Sequence, residues 1–254
     1  VERDEIRTWY QPIVDVRTRR LVGFEALARW EHPTRGLLTP ATFIDVAEET
    51  GLVNDLGLRV FETACRQVVQ WRENPRAPRD VRMSVNLSPR QLAHPELVAS
   101  LRHILTETGA DPRDLSLEVT ETCVIEDLES ALGVLGELRA LGVSLSIDDF
   151  GTGQSSLNYL RRLPIDVVKI DQSFVFELGV DVVGSTIVAA VIGLAHALGL
   201  TVVAEGVETR DHLAALVNLD CDLAQGWYFA PALDAVSATH VLHDGVDVLR
   251  AESA

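Results

Sequence analysis

Residues 144–171 read SLSIDDFGTGQSSLNYLRRLPIDVVKID, and this stretch predicts a strand, a helix and a second strand. The short apolar runs at 144–148 and 167–170 are typical of buried strands, and the segment 155–163 between them is read as a helix. Two strands joined by a helix lie parallel in one sheet. The stretch therefore predicts a parallel unit with Asp148 and Lys169 at the carboxyl ends of its strands.

The same unit repeats on both sides of this stretch. Further strands, mostly separated by helical segments, are predicted at 82–87, 115–120, 201–204 and 223–225. Two opening strands, 10–16 and 21–28, are joined by so short a connection that they form an antiparallel hairpin. Eight strands in 254 residues predict an α/β fold, a TIM-like (β/α)8 barrel with its first strand antiparallel to the rest.

Two helical regions need comment. Thr39 and Pro40 predict the start of a helix that ends at Gly51, and a second helix is predicted over 54–71. The apolar segment 182–203 is long enough to span a membrane, but its glycines favour a buried helix followed by a buried strand. With no linker apparent, we expect a single domain over residues 1–254.

Composition restricts the function. Lys and Arg total 22 against 38 Asp and Glu, a net charge of −16, which makes the chain a poor nonspecific binder of nucleic acid or of an anionic membrane. A phosphate ester substrate would need a recruited divalent cation. Three scattered cysteines favour a reducing compartment, and the absence of an initiator Met favours a domain taken from a longer protein.

Polar side chains follow successive predicted strands, where a barrel collects its functional groups. They are Glu25, Asn86, Glu118, Glu121, Asp148, Asp149, Lys169, Asp171, Glu205, Glu208 and Gln225. So many carboxylates at one mouth repel each other unless cations bind or pKa values rise. Oxygen ligands without histidine suit Mg²⁺ or Mn²⁺ rather than Zn²⁺. If the strand ends at Asp148, the next carboxylate can turn to serve a second metal.

Each residue taken singly also has a structural interpretation. Glu25 could be a solvated carboxylate, Asn86 a helix-entry cap, and Lys169 one half of a salt bridge. Asp148-Asp149 could cap a turn. Only their coincidence at successive strand ends favours a metal site. The tryptophans Trp30, Trp71 and Trp227 are predicted to pack in the core.

Ordered motifs along the chain resemble the EAL domain family, the cyclic di-GMP phosphodiesterases. The motifs are YQPI (10–13), EALAR (25–29), AEETGL (47–52), NLS (86–88), EVTE (118–121), DDFGTG (148–153), LPID (163–166), KID (169–171), AEGVE (204–208) and QG (225–226). The resemblance covers residues 9–233. It implies a barrel with a reversed first strand and the hydrolysis of cyclic di-GMP to linear 5′-pGpG.

The resemblance also implies roles for individual residues. One metal is expected on Glu25, Asn86, Glu118 and Asp148, with Asp149 binding the second metal or bridging the two. Lys169 is expected to hold or activate the attacking water, beside the active-site groups Glu25 and Glu205. The expected substrate contacts are Gln11, Arg29 and Gln225, and the expected supporting residues are Glu121, Asp171 and Glu208.

The family implies further partners. Two Mg²⁺ or Mn²⁺ ions are expected as cofactors, with Ca²⁺ inhibitory. A homodimer, an upstream GGDEF or sensory domain and a cytoplasmic location for the domain are expected, whether or not the full-length protein is membrane-anchored. Two departures from the family pattern, Gln154 and the run Ala230-Pro231-Ala232, leave the rate and the hold on substrate open.

Three functions remain at this stage. An active phosphodiesterase is favoured because every expected ligand position is filled. A catalytically weak domain that binds or senses cyclic di-GMP is the alternative. A different metal-dependent barrel or a two-carboxylate glycosidase fits less well, because an aromatic content of 6% offers few platforms for sugars.

Overall fold

A computed structural model describes residues 4–74, 78, 81–151, 157–179 and 182–246. The strands are β1 (Ile6–Asp15), β2 (Leu21–His32), β3 (Gly36–Leu38), β4 (Arg82–Leu87), β5 (Leu115–Thr120), β6 (Ser144–Phe150), β7 (Val167–Ile170), β8 (Thr201–Ala204) and β9 (Leu223–Gln225). The helices are α1 (Ile44–Thr50), α2 (Val53–Glu73), α3 (Pro89–Leu92), α4 (Leu97–Thr108), α5 (Glu121–Glu126), α6 (Leu128–Ala140), α7 (Leu157–Leu160), α8 (Gln172–Phe176), α9 (Val182–Ala197), α10 (Arg210–Asn218) and α11 (Ala235–Asp244).

Eight of these strands close into a barrel. Neighbours from β2 through β4 to β9 are parallel, whereas β1 pairs antiparallel with both β2 and β9 and so completes the ring. In this register Gln11 lies opposite Glu25, and Ile13 lies opposite Gln225. The predicted α/β barrel with a reversed first strand is confirmed.

The barrel strands place apolar side chains outward and polar side chains inward. In β5, Leu115, Leu117 and Val119 are completely buried and belong to one core that also contains Leu135 and Leu138 of α6. Because side chains alternate along a strand, the intervening residues of β5 face the lumen. The hydrophobic core therefore lies between the strands and helices, and it leaves the lumen free for charged groups.

The helices differ from the prediction at their ends. The predicted helix over 39–51 is a 3-10 turn at Pro40–Thr42 followed by α1, and Thr39 makes no capping side-chain bond. Gly51, at φ 77°, ends α1 as predicted because glycine tolerates the left-handed region. The predicted helix over 155–163 is the short α7, and its first residues and Gln154 lie outside the described part of the chain.

Two further predictions are decided by the fold. The apolar segment 182–203 divides into α9 and β8, as expected, and no helix in the described ranges is long and apolar enough to cross a membrane. Trp71 is buried and Trp30 packs against Phe43, but Trp227 is 72% exposed, so its predicted packing role is wrong. The strand β3, which pairs with β2 outside the barrel, was not predicted because three residues carry no usable alternation.

Candidate active site

Lys169 lies at the centre of a ring of carboxylates in the lumen. It faces inward from β7 and is 1% exposed. Its Nζ donates to Glu118 Oε2 at 2.7 Å and lies 2.5 Å from Glu205 Oε1. The same atom lies 3.6 Å from Glu25 Oε2 and 3.5 Å from Asp148 Oδ2. One ammonium group therefore faces four carboxylates, three from the strands β2, β5 and β6 and one from the residue that follows β8.

The strands bring these residues together by their alternation. Glu118 of β5 and Asp148 of β6 face inward near the carboxyl ends of their strands, and Glu205 directly follows β8. The expectation that Glu25 ends its strand is wrong, because β2 continues to His32 through pairing with β1 and β3. Glu25 still reaches the ring from within β2, because its side chain faces the lumen and its Oε2 lies 3.6 Å from Lys169 Nζ.

Amide side chains orient Glu25. Asn86 Nδ2 donates to Glu25 Oε1 at 2.5 Å, and Gln225 Nε2 donates to Glu25 Oε2 at 2.6 Å. Gln225 Nε2 also lies 3.1 Å from Gln11 Oε1, and Gln11 in turn donates to the carbonyl of Ala230. The buried Oε1 of Gln225 has no hydrogen-bond partner among the described residues.

A β-bulge in β6 turns two consecutive carboxylates to one place. The β6–β7 register shifts between Ile147 and Phe150, and Asp149 adopts φ 56° while the strand continues to Phe150. The sequence expectation that the strand ends at Asp148 is thus corrected. One oxygen from each of Asp148, Asp149 and Glu205 lies within 4.8 Å of the other two. Backbone geometry, rather than strand termination, builds this second carboxylate group.

Burial and mutual repulsion shift the proton affinities of the ring. Desolvation raises the pKa of Glu118 to about 7 and of Glu205 to about 8, against the opposing effect of Lys169. The pKa of Asp149 is raised by burial and then by the charge of Asp148. Burial lowers the pKa of Lys169, but its carboxylate neighbours outweigh burial and hold it well above the usual range. Fully ionised, the ring would carry more negative charge than Lys169 neutralises, and the raised pKa values reflect that excess.

The remaining predicted residues lie around the ring. Glu121, fully buried, accepts from the Gly151 amide at 2.9 Å and from the Tyr159 hydroxyl at 2.5 Å. Asp171 accepts from the amide of Ser173 and caps α8. The Tyr159 contact was missed, because nothing in the sequence pairs a helix residue with a carboxylate 38 positions away.

Two predicted residues are not brought into the ring. Arg29 is half-buried; its guanidinium donates to the Ala28 carbonyl and lies 5.8 Å from the centre of the Trp9 ring. Glu208 is exposed, and among the described contacts none joins its side chain to the ring. Their expected roles with substrate and site therefore stay predictions.

The donor set fits divalent cations with hard oxygen ligands. Carboxylates from β2, β5 and β6, the Asn86 amide and the unpartnered Gln225 oxygen converge on one mouth, with excess negative charge to offset. Mg²⁺ and Mn²⁺ prefer carboxylate and amide oxygens. Glu25, Asn86, Glu118 and Asp148 could hold one ion, and Asp149 with Glu205 could hold a second.

Fold and site together define a TIM-like barrel with an acidic, metal-compatible mouth, and comparison with known proteins gives the family. A model of the EAL domain matches residues 1–232. The chain belongs to the EAL domain family.

The relatives include proteins described by their ligand or activity. MucR of Pseudomonas aeruginosa, a bifunctional diguanylate cyclase/cyclic di-GMP phosphodiesterase, is 43% identical over 235 residues, which are 92% of this chain and 34% of MucR. The solved PaMucR phosphodiesterase–c-di-GMP complex has a TM-score of 0.90 and 43% identity, covering 93% of this chain and 95% of that chain.

A more distant structure has the same fold. The FimX EAL domain from Pseudomonas aeruginosa bound to c-di-GMP has a TM-score of 0.82 and 25% identity, covering 91% of this chain and 92% of that one. The chain spans about a third of the length of the curated relatives it matches. For three of them the share of their length is 30%, 34% and 35%.

Proposed function

We propose that this domain hydrolyses one phosphodiester bond of cyclic di-GMP to give linear 5′-pGpG, with two divalent cations as cofactors. The observation that carries the proposal is the ring of Glu25, Glu118, Asp148 and Glu205 around Lys169 Nζ. Membership of the EAL family and the ligand named in the PaMucR complex support the choice of substrate.

The chain's own residues would hold both cations. Glu25, Asn86, Glu118 and Asp148 are assigned to the first, and Asp149 and Glu205 to the second. Two bound cations supply a clamp for the phosphate and a water nucleophile at neutral pH. The amides of Asn86 and Gln225 fix both oxygens of Glu25, so this ligand is oriented before any cation arrives.

Lys169 is assigned to the attacking water and the phosphate charge. Its Nζ is anchored by Glu118 at 2.7 Å and Glu205 at 2.5 Å, which fixes the ammonium at the base of the mouth. A charged donor fixed there stabilises negative charge that develops on the phosphate during in-line attack. In the metal-free chain its carboxylate neighbours hold its pKa well above the usual range, so the ammonium group is a donor available to the water and the phosphate.

Substrate contacts are assigned beyond the ring. Gln11 and Gln225 lie side by side at the mouth and offer amide groups to the nucleotide. Arg29, on the same strand as Glu25, is assigned to a phosphate. Glu121, Asp171 and Glu208 are assigned to supporting the loops that surround the mouth.

The larger setting is part of the proposal. We assign the domain to a cytoplasmic homodimer within a longer protein that carries a GGDEF or sensory domain. The two activities of MucR, diguanylate cyclase and phosphodiesterase, support the GGDEF part of this assignment. Binding of DNA is not expected at a net charge of −16.

The direct test is incubation of the purified chain with cyclic di-GMP in Mg²⁺, Mn²⁺, Ca²⁺ or EDTA, followed by chromatography of the nucleotides. We expect pGpG with Mg²⁺ or Mn²⁺ and none with EDTA. Ca²⁺ is expected to inhibit, because its larger and looser coordination shell disturbs the spacing of two metals. Binding of cyclic di-GMP without any pGpG would overturn the hydrolase proposal in favour of a sensing domain.

A further inference from the structure

A cavity with a mixed polar and apolar lining lies in the barrel lumen beside the carboxylate ring, and among the residues that line it only Glu118 enters the proposed reaction. Its volume is about 70 Å³, and its wall on β4, β5 and β6 carries Ser84, Ser116, Ser146 and Glu118. The interior of such a barrel is usually filled by layers of bulky branched side chains. Serines at these inward positions leave space that larger residues would close.

Two of these serines have buried hydroxyls without partners. Ser116 is 6% exposed and Ser146 is 0% exposed, and among the described residues neither Oγ has a hydrogen-bond partner. A buried hydroxyl left unpaired costs free energy, so such groups are nearly always bonded to protein or to ordered water. The cavity volume far exceeds the roughly 10–15 Å³ that one water molecule requires. The serines make one wall of the cavity polar, and the space is large enough for several waters.

Both serines lie next to Glu118. Ser116 precedes Glu118 by two residues in β5 and therefore faces the same side of the sheet. Ser146 is the β6 residue paired with Glu118 in the parallel register. Glu118 Oε2 accepts from Lys169, and the residue lines the cavity that the serine hydroxyls line. Water bonded to these hydroxyls would contact the carboxylate from the side opposite the mouth.

We propose that Ser116 and Ser146 are positioning residues, which hold ordered water against Glu118 and thereby fix its carboxylate for Lys169 and the metal. The metal-binding part of this inference rests on the proposed function, whereas the hydration of the cavity does not.

The cavity also reaches toward the far end of the barrel. Arg82 and Ser144, at the first residues of β4 and β6, line both this cavity and a pocket of about 400 Å³ at the amino ends of the strands. Water held below Glu118 would thus lie between the carboxylate ring and the end of the barrel remote from the mouth. Substrate bound at the mouth need not displace it.

The test compares Ser146→Val with Ser146→Thr in the 254-residue chain. Valine removes the hydroxyl and places two methyl groups in the cavity, whereas threonine adds one methyl and keeps the hydroxyl. Mn²⁺ affinity is measured without substrate, and the Tm is measured in EDTA. We expect Ser146→Val to weaken Mn²⁺ binding about tenfold, the low end of the effect of residues that orient metal ligands, and to lower the Tm. Ser146→Thr is expected to keep wild-type Mn²⁺ affinity.

A dry cavity predicts the opposite sign. Valine would then fill a void and remove an unpaired hydroxyl, so a raised Tm with unchanged Mn²⁺ affinity would overturn the proposal. Ser116→Val carries the same expectation at an independent position if Ser146→Val does not fold. If the unmodified chain binds no Mn²⁺, the proposed function fails, while the direction of the Tm shift still decides whether the cavity is hydrated.

Discussion

At the scale of single residues, Glu25 has the most constrained side chain of the ring. Both of its oxygens accept hydrogen bonds, from Asn86 at 2.5 Å and from Gln225 at 2.6 Å, and Oε2 also lies 3.6 Å from Lys169 Nζ. A carboxylate held in this way is preorganised as a ligand. Its removal leaves two amides and an ammonium group without their shared partner.

Glu25→Ala should lower turnover of cyclic di-GMP at least about a hundredfold and weaken Mn²⁺ binding together with it, because loss of groups that merely orient a ligand already costs ten- to hundredfold. Steady-state kinetics and a Mn²⁺ titration check both effects. Glu31→Ala is the matched control on the same strand, since Glu31 is exposed and pairs only with Arg7 among the described ion pairs. Unchanged turnover in Glu25→Ala would remove Glu25 from the ligand set.

The sequence predicted which residues meet in the ring but not how they meet. Strand alternation and strand ends were sufficient to select Glu118, Asp148 and Lys169, because local periodicity determines which way they face. The hydrogen bonds that orient Glu25 depend on β1 and β9, which are far apart in the sequence, so no local pattern reveals them. The exposure of Trp227 was also missed, because the amino-acid type alone favours burial of a tryptophan.

At the scale of elements, the bulge in β6 determines the second carboxylate group. Asp149 at φ 56° occupies the left-handed region, which costs a residue with a side chain roughly 1–2 kcal/mol relative to glycine. Aspartate is among the residues that adopt this conformation most readily. This strained backbone conformation brings the carboxylate of Asp149 next to those of Asp148 and Glu205.

Asp149→Gly and Asp149→Val separate backbone strain from charge. Both variants remove one carboxylate from a repulsive cluster, so both should lose Mn²⁺ affinity and gain the same electrostatic relief. Only valine is strained at positive φ. We therefore expect the free energy of unfolding of Asp149→Gly to be about 1–2 kcal/mol higher than that of Asp149→Val. Urea denaturation in EDTA measures the difference. Equal stabilities would mean that the bulge relaxes and does not impose the conformation.

Glu121 connects α5, the end of β6 and α7. Its buried carboxylate accepts from Gly151 and from the hydroxyl of Tyr159. Tyr159→Phe removes a buried hydrogen bond to this carboxylate, so the free energy of unfolding should fall by about 1–3 kcal/mol. Chemical denaturation measures this loss, and a change below about 0.5 kcal/mol would show that the oxygen finds another donor.

The order of elements was predictable, whereas their ends were not. Short apolar runs separated by helical segments indicated the eight barrel strands, because a parallel sheet requires a crossover between strands. The bulge at Asp149 and the extension of β2 to His32 depend on pairing with neighbouring strands. Such tertiary effects leave no signal in the periodicity of one segment.

At the scale of the whole molecule, stability is linked to pH through the ring. The pKa values of Glu118 and Glu205 are raised from 4.5 to about 7 and about 8, so between pH 5 and 8 the folded state binds more protons than the unfolded chain. Stability must then fall as pH rises through this window. The lowered pKa values of Asp15 and Asp111 act at more acidic pH and do not oppose this trend.

We therefore expect the metal-free chain to lose on the order of a few kcal/mol of unfolding free energy between pH 5 and 8, since each unit of pKa shift corresponds to about 1.4 kcal/mol. Denaturation in EDTA across this range measures the slope. Glu118→Gln should flatten it, because one of the two titrating groups is removed. A stability that rises from pH 5 to 8 would contradict the assigned burial of these carboxyls.

Divalent cations should oppose this fall in stability between pH 5 and 8. A cation binds the deprotonated carboxylates of the folded ring, so Mn²⁺ competes with protons and its affinity rises from pH 6 to 8. At a hundredfold excess over Kd, binding adds about 2.7 kcal/mol to the unfolding free energy. The increase in Tm on adding Mn²⁺ should thus be larger at pH 8 than at pH 6. Glu25→Ala should reduce this increase at both pH values, because the first cation loses a ligand while the second keeps Asp149 and Glu205. An equal increase in Glu25→Ala would remove Glu25 from the ligands of the cation that stabilises the fold.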